Sequence, residues 1–159
     1  VSDVGSSELI FKELYLDEIL TSVKNIFSEE MRERNINMIT EFTTLQPFLT
    51  YPALIKVILE NLVENSITFS SDHSTIRIVA NTNEKGLHVR VEDEGWGIEE
   101  KYLNLVFDMY FRAHERSKAN GLGLYIVTKI VQKLKGTVEL NSVLNKGTQV
   151  LIFLPHPAK

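Results

Sequence analysis

Two glycine motifs, about two dozen residues apart, constrain the fold of this chain more than any other feature. The first, Asp93–Gly97, has the pattern D-x-G-x-G and directly follows the alternating segment Leu87–Val91. The second, Gly121 and Gly123, precedes an apolar helical pattern. Glycine lets a backbone turn sharply and approach a flat ring closely, and a helix N-terminus favours an anion. A strand end and a helix start are therefore expected to face a shared ligand.

Hydrophobic periodicity predicts the remaining elements. Apolar residues at helical spacing predict helices over Leu16–Met31, Pro52–Phe69 and Gly121–Leu134. Alternation predicts strands at Glu8–Phe11, Ile36–Phe42, Ile76–Ala80, Leu87–Val91, Val138–Ser142 and Thr148–Leu154. This mixture predicts an α+β fold, a two-layer α/β sandwich in which a mixed β-sheet packs on three helices. Residues 94–120 show no sustained period and are too long for a plain connector, which is typical of a lid.

Composition limits the function classes. The chain has 159 residues, 43% of them hydrophobic, so one domain over residues 1–159 is expected, with frayed ends at 1–7 and 156–159. A net charge of −4 argues against a nucleic-acid partner. The absence of cysteine suits a cytoplasmic setting. No apolar run is long enough to span a membrane, so no direct membrane contact is expected. The chain is expected to be a piece of a longer protein.

Two asparagines interrupt the apolar stripe of the second predicted helix. Asn61 and Asn65 share that stripe with Leu54, Ile58 and Thr68 by their spacing. A buried amide without a partner costs roughly 1–3 kcal/mol, so both amides need one. A hydrogen bond between helices is one interpretation. The other is Mg²⁺, a hard ion that takes oxygen ligands and bridges them to phosphates.

Asp93 has two interpretations as well. It could form an Asx turn before Gly95, or its carboxylate could accept a hydrogen bond from the exocyclic amine of adenine. Trp96 is interpreted as partly buried packing. Arg112, Arg116 and Lys118 precede the second glycine motif, where they could neutralise phosphate charge or remain solvated.

In this order, the motifs resemble the catalytic, ATP-binding domain of sensor histidine kinases, within the GHKL ATPase superfamily. The resemblance extends from about residue 10 to 155. The segments that carry it are Glu60–Ser66 (N box), Glu92–Ile98 (G1 box), Val106–Arg112 (F box), Asn120–Val127 (G2 box) and Lys146–Thr148 (a glycine-threonine hairpin).

The resemblance implies a site for ATP and Mg²⁺. Asn65 should ligate the metal, Asp93 should bind the adenine amine, and residues 98–120 should form the ATP lid. The implied nucleotide contacts are Asn61, Asn65, Asp93, Gly95, Gly97, Ile98, Lys118, Gly121, Leu122, Gly123, Leu124 and Thr148, and the implied catalytic residues are Asn61, Asn65 and Arg112.

Four positions depart from the family pattern. Thr68 stands where many relatives have a phosphate-contacting lysine, and Ser66 stands where alanine is commoner. Ala119 replaces a glycine before the G2 box, and Tyr51 replaces an aspartate before the N-box helix. Loss of the lysine and the glycine would weaken ATP binding, unless Arg112 or Lys118 supplies the charge.

The implied activity is transfer of the γ-phosphoryl group of ATP to a histidine, in two-component phosphorelay signalling. The acceptor histidine belongs to a separate dimerising domain in this family. No H-E-x-x helix of that kind occurs in this chain, whose four histidines are interpreted as surface residues. The implied partners are that dimerisation domain of the same kinase and a response regulator receiver domain. The expected location is cytoplasmic, including the cytoplasmic part of a membrane-anchored sensor.

Two other functions remain open at this stage. A GHKL ATPase would hydrolyse ATP, but superfamily hydrolases carry a glutamate at the position of Asn61, and an amide cannot activate water. Glu60 lies about 100° round the helix from Asn61, and Glu64, three residues further on, lies about 60° from it. The other alternative is a degenerate nucleotide-binding module that docks a partner without phosphoryl transfer.

Overall fold

The computed structural model describes residues 9–97 and 123–158. Its helices are α1 (Leu16–Ile26), α2 (Ser28–Arg34), α3 (Pro52–Phe69) and α4 (Gly123–Lys133). Its strands are β1 (Lys12–Glu13), β2 (Asn37–Thr44), β3 (Leu49–Thr50), β4 (Thr75–Thr82), β5 (Gly86–Asp93), β6 (Thr137–Val143) and β7 (Gly147–Pro155). No helix in this described part of the chain is long and apolar enough to cross a membrane.

Five strands form one mixed sheet in the order β2-β4-β5-β7-β6. β2 runs parallel to β4, and the other neighbours are antiparallel. Alternate residues of β4 are buried, so one face of the sheet meets the core. On that face lie α1, α3 and α4. The predicted α+β sandwich of a mixed sheet on three helices is confirmed.

The hydrophobic core lies between the sheet and the helices. Ile58 and Leu62 of α3, Ile78 of β4, Val91 of β5 and Val127 of α4 are each at most 2% exposed. Burial of such side chains contributes roughly 1.5–3 kcal/mol apiece. The core therefore fixes α3 against β5, and α4 against α3 and β6.

The prediction of one helix over Leu16–Met31 is wrong in its extent. The observed helix α1 ends at Ile26, and Phe27 has the non-helical angles φ −104° and ψ 7° before α2 begins. The hydroxyl of Ser28 donates to the Asn25 carbonyl at 3.0 Å, a local bond that competes with the helix. Glu29 and Glu30 then favour a new helix start.

The first predicted strand is also misplaced. Leu9–Phe11, the described part of Glu8–Phe11, forms no strand. β1 lies at Lys12–Glu13 instead, where it pairs with β3, which the sequence did not predict. Both strands have two residues, too few for alternation to show.

Arg34, at the end of α2, braces the C-terminus of α3. Its guanidinium donates to the carbonyls of Ile67, at 2.5 Å, and of Ser70. It also pairs with Asp72 at 2.8 Å. The last carbonyls of a helix carry partial negative charge, so this cation stabilises the end of α3. That end contacts the first glycine motif.

Candidate nucleotide-binding site

The two asparagines of α3 lie against the first residue of α4. A Cβ placed on Gly123 would be 3.2 Å from Asn65 Nδ2 and 3.3 Å from Asn61 Oδ1. Both asparagines and Gly123 are half-buried. The structure thus brings together residues that are about sixty positions apart in the sequence, and the absence of a side chain at Gly123 leaves both amides close to the α4 backbone.

The hydrogen bonds of Asn61 determine which of its atoms is presented. Its Nδ2 donates to the Val57 carbonyl of its own helix at 2.8 Å. The donor half of the amide is therefore used inside α3, while Oδ1 lies toward Gly123. An amide oxygen is a hard ligand suited to Mg²⁺.

Asp93 ends β5 and lies opposite Thr148 of β7 in the sheet register. Its Oδ1 accepts the N–H of Gly95 at 2.9 Å and the N–H of Thr148 at 3.2 Å. The first of these bonds is the Asx turn proposed from the sequence. Two segments of the chain therefore hold this one side chain, and the hydroxyl of Ser66 on α3 lowers the pKa of the same carboxyl.

Asp93 is a poorly solvated acid. Burial raises the pKa of Asp93 from 3.8 to about 6, although the hydrogen bonds from Gly95, Thr148 and Ser66 lower it, and the nearby Glu94 raises it. Burial disfavours the charged form of a carboxyl. A perturbed acid in a cleft is a candidate for function. A ligand that donates a hydrogen bond to this carboxylate would relieve part of the desolvation.

At Gly95, neighbouring backbone occupies the space that a side chain would need. A Cβ there would lie 2.2 Å from the Phe69 carbonyl oxygen, far inside contact distance. The same carbonyl accepts the N–H of Trp96 at 3.1 Å, and Gly95 bridges to Ser70. Trp96 is half-buried, with its ring edge-to-face on Phe69 at 6.2 Å between centroids. The end of α3 and the first glycine motif are thus in backbone contact.

Two further glycines allow the β6–β7 hairpin to meet this motif. Gly97 has φ +72°, and a Cβ there would lie 2.1 Å from the Val143 carbonyl oxygen. Gly147 has φ +139°, and a Cβ there would lie 2.1 Å from the Asp93 carbonyl oxygen. The N–H of Asn145 donates to the Trp96 carbonyl at 2.5 Å.

Thr148 is held beside Asp93. Its Oγ1 lies 2.8 Å from the Ser142 hydroxyl, which also donates to the Gly147 carbonyl at 3.1 Å. A cavity of about 380 Å³ at this end of the sheet is lined by Asp93, Ser142 and Thr148 among others. The sequence did not single out Ser142, because its role depends on the register between β6 and β7.

Of the other predicted site residues, one lies in the described part of the chain and the rest lie outside it. Leu124, on the first turn of α4, packs half-buried against the core. Ile98, Arg112, Lys118, Gly121 and Leu122, with the predicted lid over residues 98–120, lie outside the described residues. Of the predicted site residues, the structure therefore places Asn61, Asn65 and Gly123 in one group and Asp93, Gly95, Gly97 and Thr148 in another.

Three other polar residues of α3 near Asn61 are either bonded within the helix or exposed. Thr68 donates to the Glu64 carbonyl of its own helix at 2.9 Å. Glu60 pairs with Lys56 at 4.0 Å, and Glu64 is exposed. Thr68 thus does not substitute for a phosphate-binding cation.

Comparison with known proteins gives consistent matches. The family model described as histidine kinase-, DNA gyrase B-, and HSP90-like ATPase matches residues 50–158. The sensor protein RprX of Bacteroides fragilis is 32% identical over 160 residues, 96% of this chain and 31% of RprX. The sensor histidine kinase ZraS of Escherichia coli is 28% identical over 96% of this chain and 32% of ZraS. The chain spans about a third of the length of these curated relatives.

A solved structure agrees with the fold. The nucleotide-free catalytic domain of the histidine kinase ThkA superposes with a TM-score of 0.79 at 26% identity. The superposition covers 93% of this chain and 97% of that domain.

Proposed function

Because the chain belongs to the family of histidine kinase-, DNA gyrase B-, and HSP90-like ATPases, as the ATP-binding domain of a sensor histidine kinase, we propose that it binds Mg-ATP and donates the γ-phosphoryl group to a histidine. That histidine lies on a separate dimerisation domain of the parent kinase. A response regulator receiver domain is the proposed next partner in the phosphorelay.

The observation that carries this proposal is the contact of the two asparagines with Gly123. It sets two amide groups beside a helix N-terminus, where free N–H groups and the helix dipole favour phosphate. We call Asn61, Asn65 and Gly123 the phosphate end of the site. In the proposed complex, Asn65 ligates Mg²⁺ through its amide oxygen, and Asn61 contacts the phosphates.

The second group, Asp93, Gly95 and Thr148, forms what we call the adenine end. Asp93 accepts the exocyclic amine of adenine, and Thr148 lies beside it. α3 contains Asn65 and ends at Phe69, whose carbonyl lies against Gly95, so one helix reaches both ends of the site. We further propose that Gly97, Ile98, Lys118, Gly121, Leu122 and Leu124 contact the nucleotide.

Phosphoryl transfer requires positioning and charge rather than covalent catalysis by the protein. When bound, Mg²⁺ supplies positive charge to the transferring group. The residues of the phosphate end hold the nucleotide in place, and Arg112 is proposed to stabilise charge on the phosphoryl group. The acceptor histidine is the nucleophile and comes from the other domain.

Hydrolysis is less well supported, because neither glutamate near Asn61 is among the groups nearest Gly123, which are the amides of Asn61 and Asn65. Glu60 pairs with Lys56, and Glu64 is exposed. Asn61 Nδ2 is already used by Val57, and an amide has no basic atom that could take a proton from water.

Phosphotransfer to added acceptor helices tests the proposal. The domain is incubated with γ-labelled ATP, alone and with the dimerisation domain of the parent kinase. We expect acid-labile phosphohistidine on the added domain and no label on this chain. Asn65→Leu should abolish transfer, whereas the matched control Glu64→Gln, an exposed neighbour, should retain it. Rapid hydrolysis by the lone domain would favour an ATPase, and tight ATP binding without transfer would favour a degenerate module.

A further inference from the structure

Arg34 supplies a positive charge to a helix end that has none of its own. The last turn of α3, which lies wholly in the described part of the chain, contains no basic residue. The carbonyls there carry partial negative charge and have no partner within the helix. The Arg34 guanidinium donates to two of them, those of Ile67 and Ser70. The backbone carbonyl of Arg34 also accepts the N–H of His73 at 3.0 Å. Arg34 therefore holds the chain at the end of α3 and just beyond it.

The segment that Arg34 holds is the one that meets the first glycine motif. After Phe69 the backbone becomes extended at Ser70, with φ −81° and ψ 152°. Ser70 then forms an antiparallel bridge with Gly95. Gly95 in turn donates its N–H to Asp93 Oδ1 at 2.9 Å. A short series of backbone contacts and hydrogen bonds therefore connects the Arg34 guanidinium to the Asp93 carboxylate.

We propose that Arg34 is a positioning residue for adenine selectivity: by fixing the end of α3, it keeps Gly95 and the Asp93 carboxylate in the geometry that accepts the adenine amine. This inference rests on the proposed function, because it requires Asp93 to bind adenine. The earlier turns of α3 are anchored separately, since Ile58 and Leu62 are each 2% exposed in the core. Loss of Arg34 should therefore weaken the contribution of the amine and leave the phosphate end in place.

A pair of ligands separates these contributions. One is ADP, and the other is the diphosphate of purine riboside, which has the same phosphates and lacks the exocyclic amine. The ratio of the two affinities measures how well Asp93 binds the amine. Arg34→Met removes the donors and keeps an unbranched apolar stem. Partial loss of the hydrogen bond from the amine predicts that this variant binds ADP about three- to tenfold more weakly, with a change of less than about twofold for the purine analogue.

Trp96, the single tryptophan of the chain, provides a second measurement at the same place. Its backbone N–H donates to the Phe69 carbonyl at 3.1 Å, and its ring lies edge-to-face on the Phe69 ring. A shift of the end of α3 should therefore change the fluorescence emission of Trp96 in the folded protein. A role of Arg34 in overall stability alone would lower the melting temperature and leave this native emission unchanged.

Two control variants change charge nearby without removing the carbonyl contacts. Arg32→Met removes an exposed arginine from the same helix. Asp72→Asn removes the charge that pairs with Arg34 at 2.8 Å. Both should keep the wild-type affinity ratio and emission. Arg34→Lys should give an intermediate ratio, because an ammonium donates from one point whereas the guanidinium reaches two carbonyls. It takes the place of Arg34→Met if that variant does not fold.

Calorimetric titration of both ligands, with emission spectra of Trp96, tests the inference in the wild type and the four variants. A lower ratio and a changed emission in the Arg34 variants, with neither change in the controls, support it. A wild-type ratio in a folded Arg34 variant, or equal weakening of both ligands, overturns it and leaves the function of Asp93 intact. A wild-type protein that binds both ligands equally would instead overturn the adenine assignment on which the inference rests.

Discussion

The glycines at the two ends of the proposed site have different surroundings. A Cβ on Gly95, at the adenine end, would lie 2.2 Å from a backbone oxygen. A Cβ on Gly123, at the phosphate end, would lie no closer than 3.2 Å, and the nearest atoms belong to the side chains of Asn61 and Asn65. Backbone cannot move aside without a change of fold, whereas a side chain rotates at low cost.

The hydrogen bonds follow the same division. At the adenine end, the Asp93 carboxyl accepts the N–H groups of Gly95 and Thr148, from two segments of the chain. At the phosphate end, Asn61 is held by one bond within its own helix. The adenine end is therefore built into the fold, and the phosphate end is a pair of side chains on a rigid helix. Substitutions at the adenine end should therefore change stability, whereas substitutions at the phosphate end should change nucleotide binding with little effect on stability.

The largest effect is expected from Gly95→Ala. The added methyl would collide with the Phe69 carbonyl, so α3 or the loop must shift, at a cost of about 2–4 kcal/mol in the free energy of unfolding. Gly123→Ala should change that free energy by no more than about 1 kcal/mol and should weaken ATP binding. Urea denaturation of both variants measures the difference. Equal losses of stability would contradict the division between the two ends.

Asp93→Asn should have opposite effects on stability and binding. The amide keeps an oxygen for Gly95 and Thr148 and has no charge to desolvate. Since the folded pKa of about 6 exceeds the ordinary value of 3.8, ionised Asp93 costs the folded state on the order of 3 kcal/mol at neutral pH. The substitution should remove much of this cost. The N–H groups of the new amide would face the adenine amine, so ADP binding should weaken about 10- to 150-fold.

The effect of Asp93→Asn on stability should depend on pH. In the wild type, the stability contribution of Asp93 is fully present below pH 3.8 and is lost as the pH rises through about 6, because the folded state holds the proton more tightly. Melting temperatures of the wild type and Asp93→Asn should therefore converge toward about pH 4 and separate above about pH 6. Parallel curves across this range would exclude the raised pKa.

At the phosphate end, Asn65→Leu should affect binding with little change in stability. Leucine suits the half-buried position, so the free energy of unfolding should change by no more than about 1 kcal/mol. ATP affinity should lose its dependence on Mg²⁺, because the amide oxygen is gone. Asn65→Asp keeps an oxygen and should retain a dependence. If both variants and the wild type bind ATP equally with and without Mg²⁺, then Asn65 is only a structural hydrogen-bonding residue.

The smallest effect is expected from pH on nucleotide affinity. A protonated Asp93 is a poorer acceptor for the adenine amine, so ADP affinity should decline by up to about tenfold per pH unit as the pH falls below about 6. Titrations at about pH 7.5 and about pH 5, on either side of this pKa, measure the change. The affinity for the diphosphate of purine riboside, which lacks the exocyclic amine, should depend less on pH than the affinity for ADP. An equal pH dependence of the two affinities would assign the effect to a group other than Asp93.

Local sequence signals predicted much of this molecule. The helix predicted over Pro52–Phe69 matches α3 at both ends, because Pro52 fixes the start and the apolar stripe continues to Phe69. The strands at the centre of the sheet follow from alternation, since one of their faces is buried. By contrast, the break at Phe27 and the two-residue strands β1 and β3 depend on single hydrogen bonds and distant partners, which periodicity does not detect.

Residue types and their spacing predicted the order of the motifs, the amides on one stripe of α3 and the carboxylate at the end of a strand. These features depend on residue type and short-range spacing. Tertiary packing alone accounts for the close approach of the end of α3 to Gly95 and for the position of Gly123 beside Asn61 and Asn65. Each of these contacts joins elements that are distant in the chain, and the packing of α3 against β5 and α4 sets their distances.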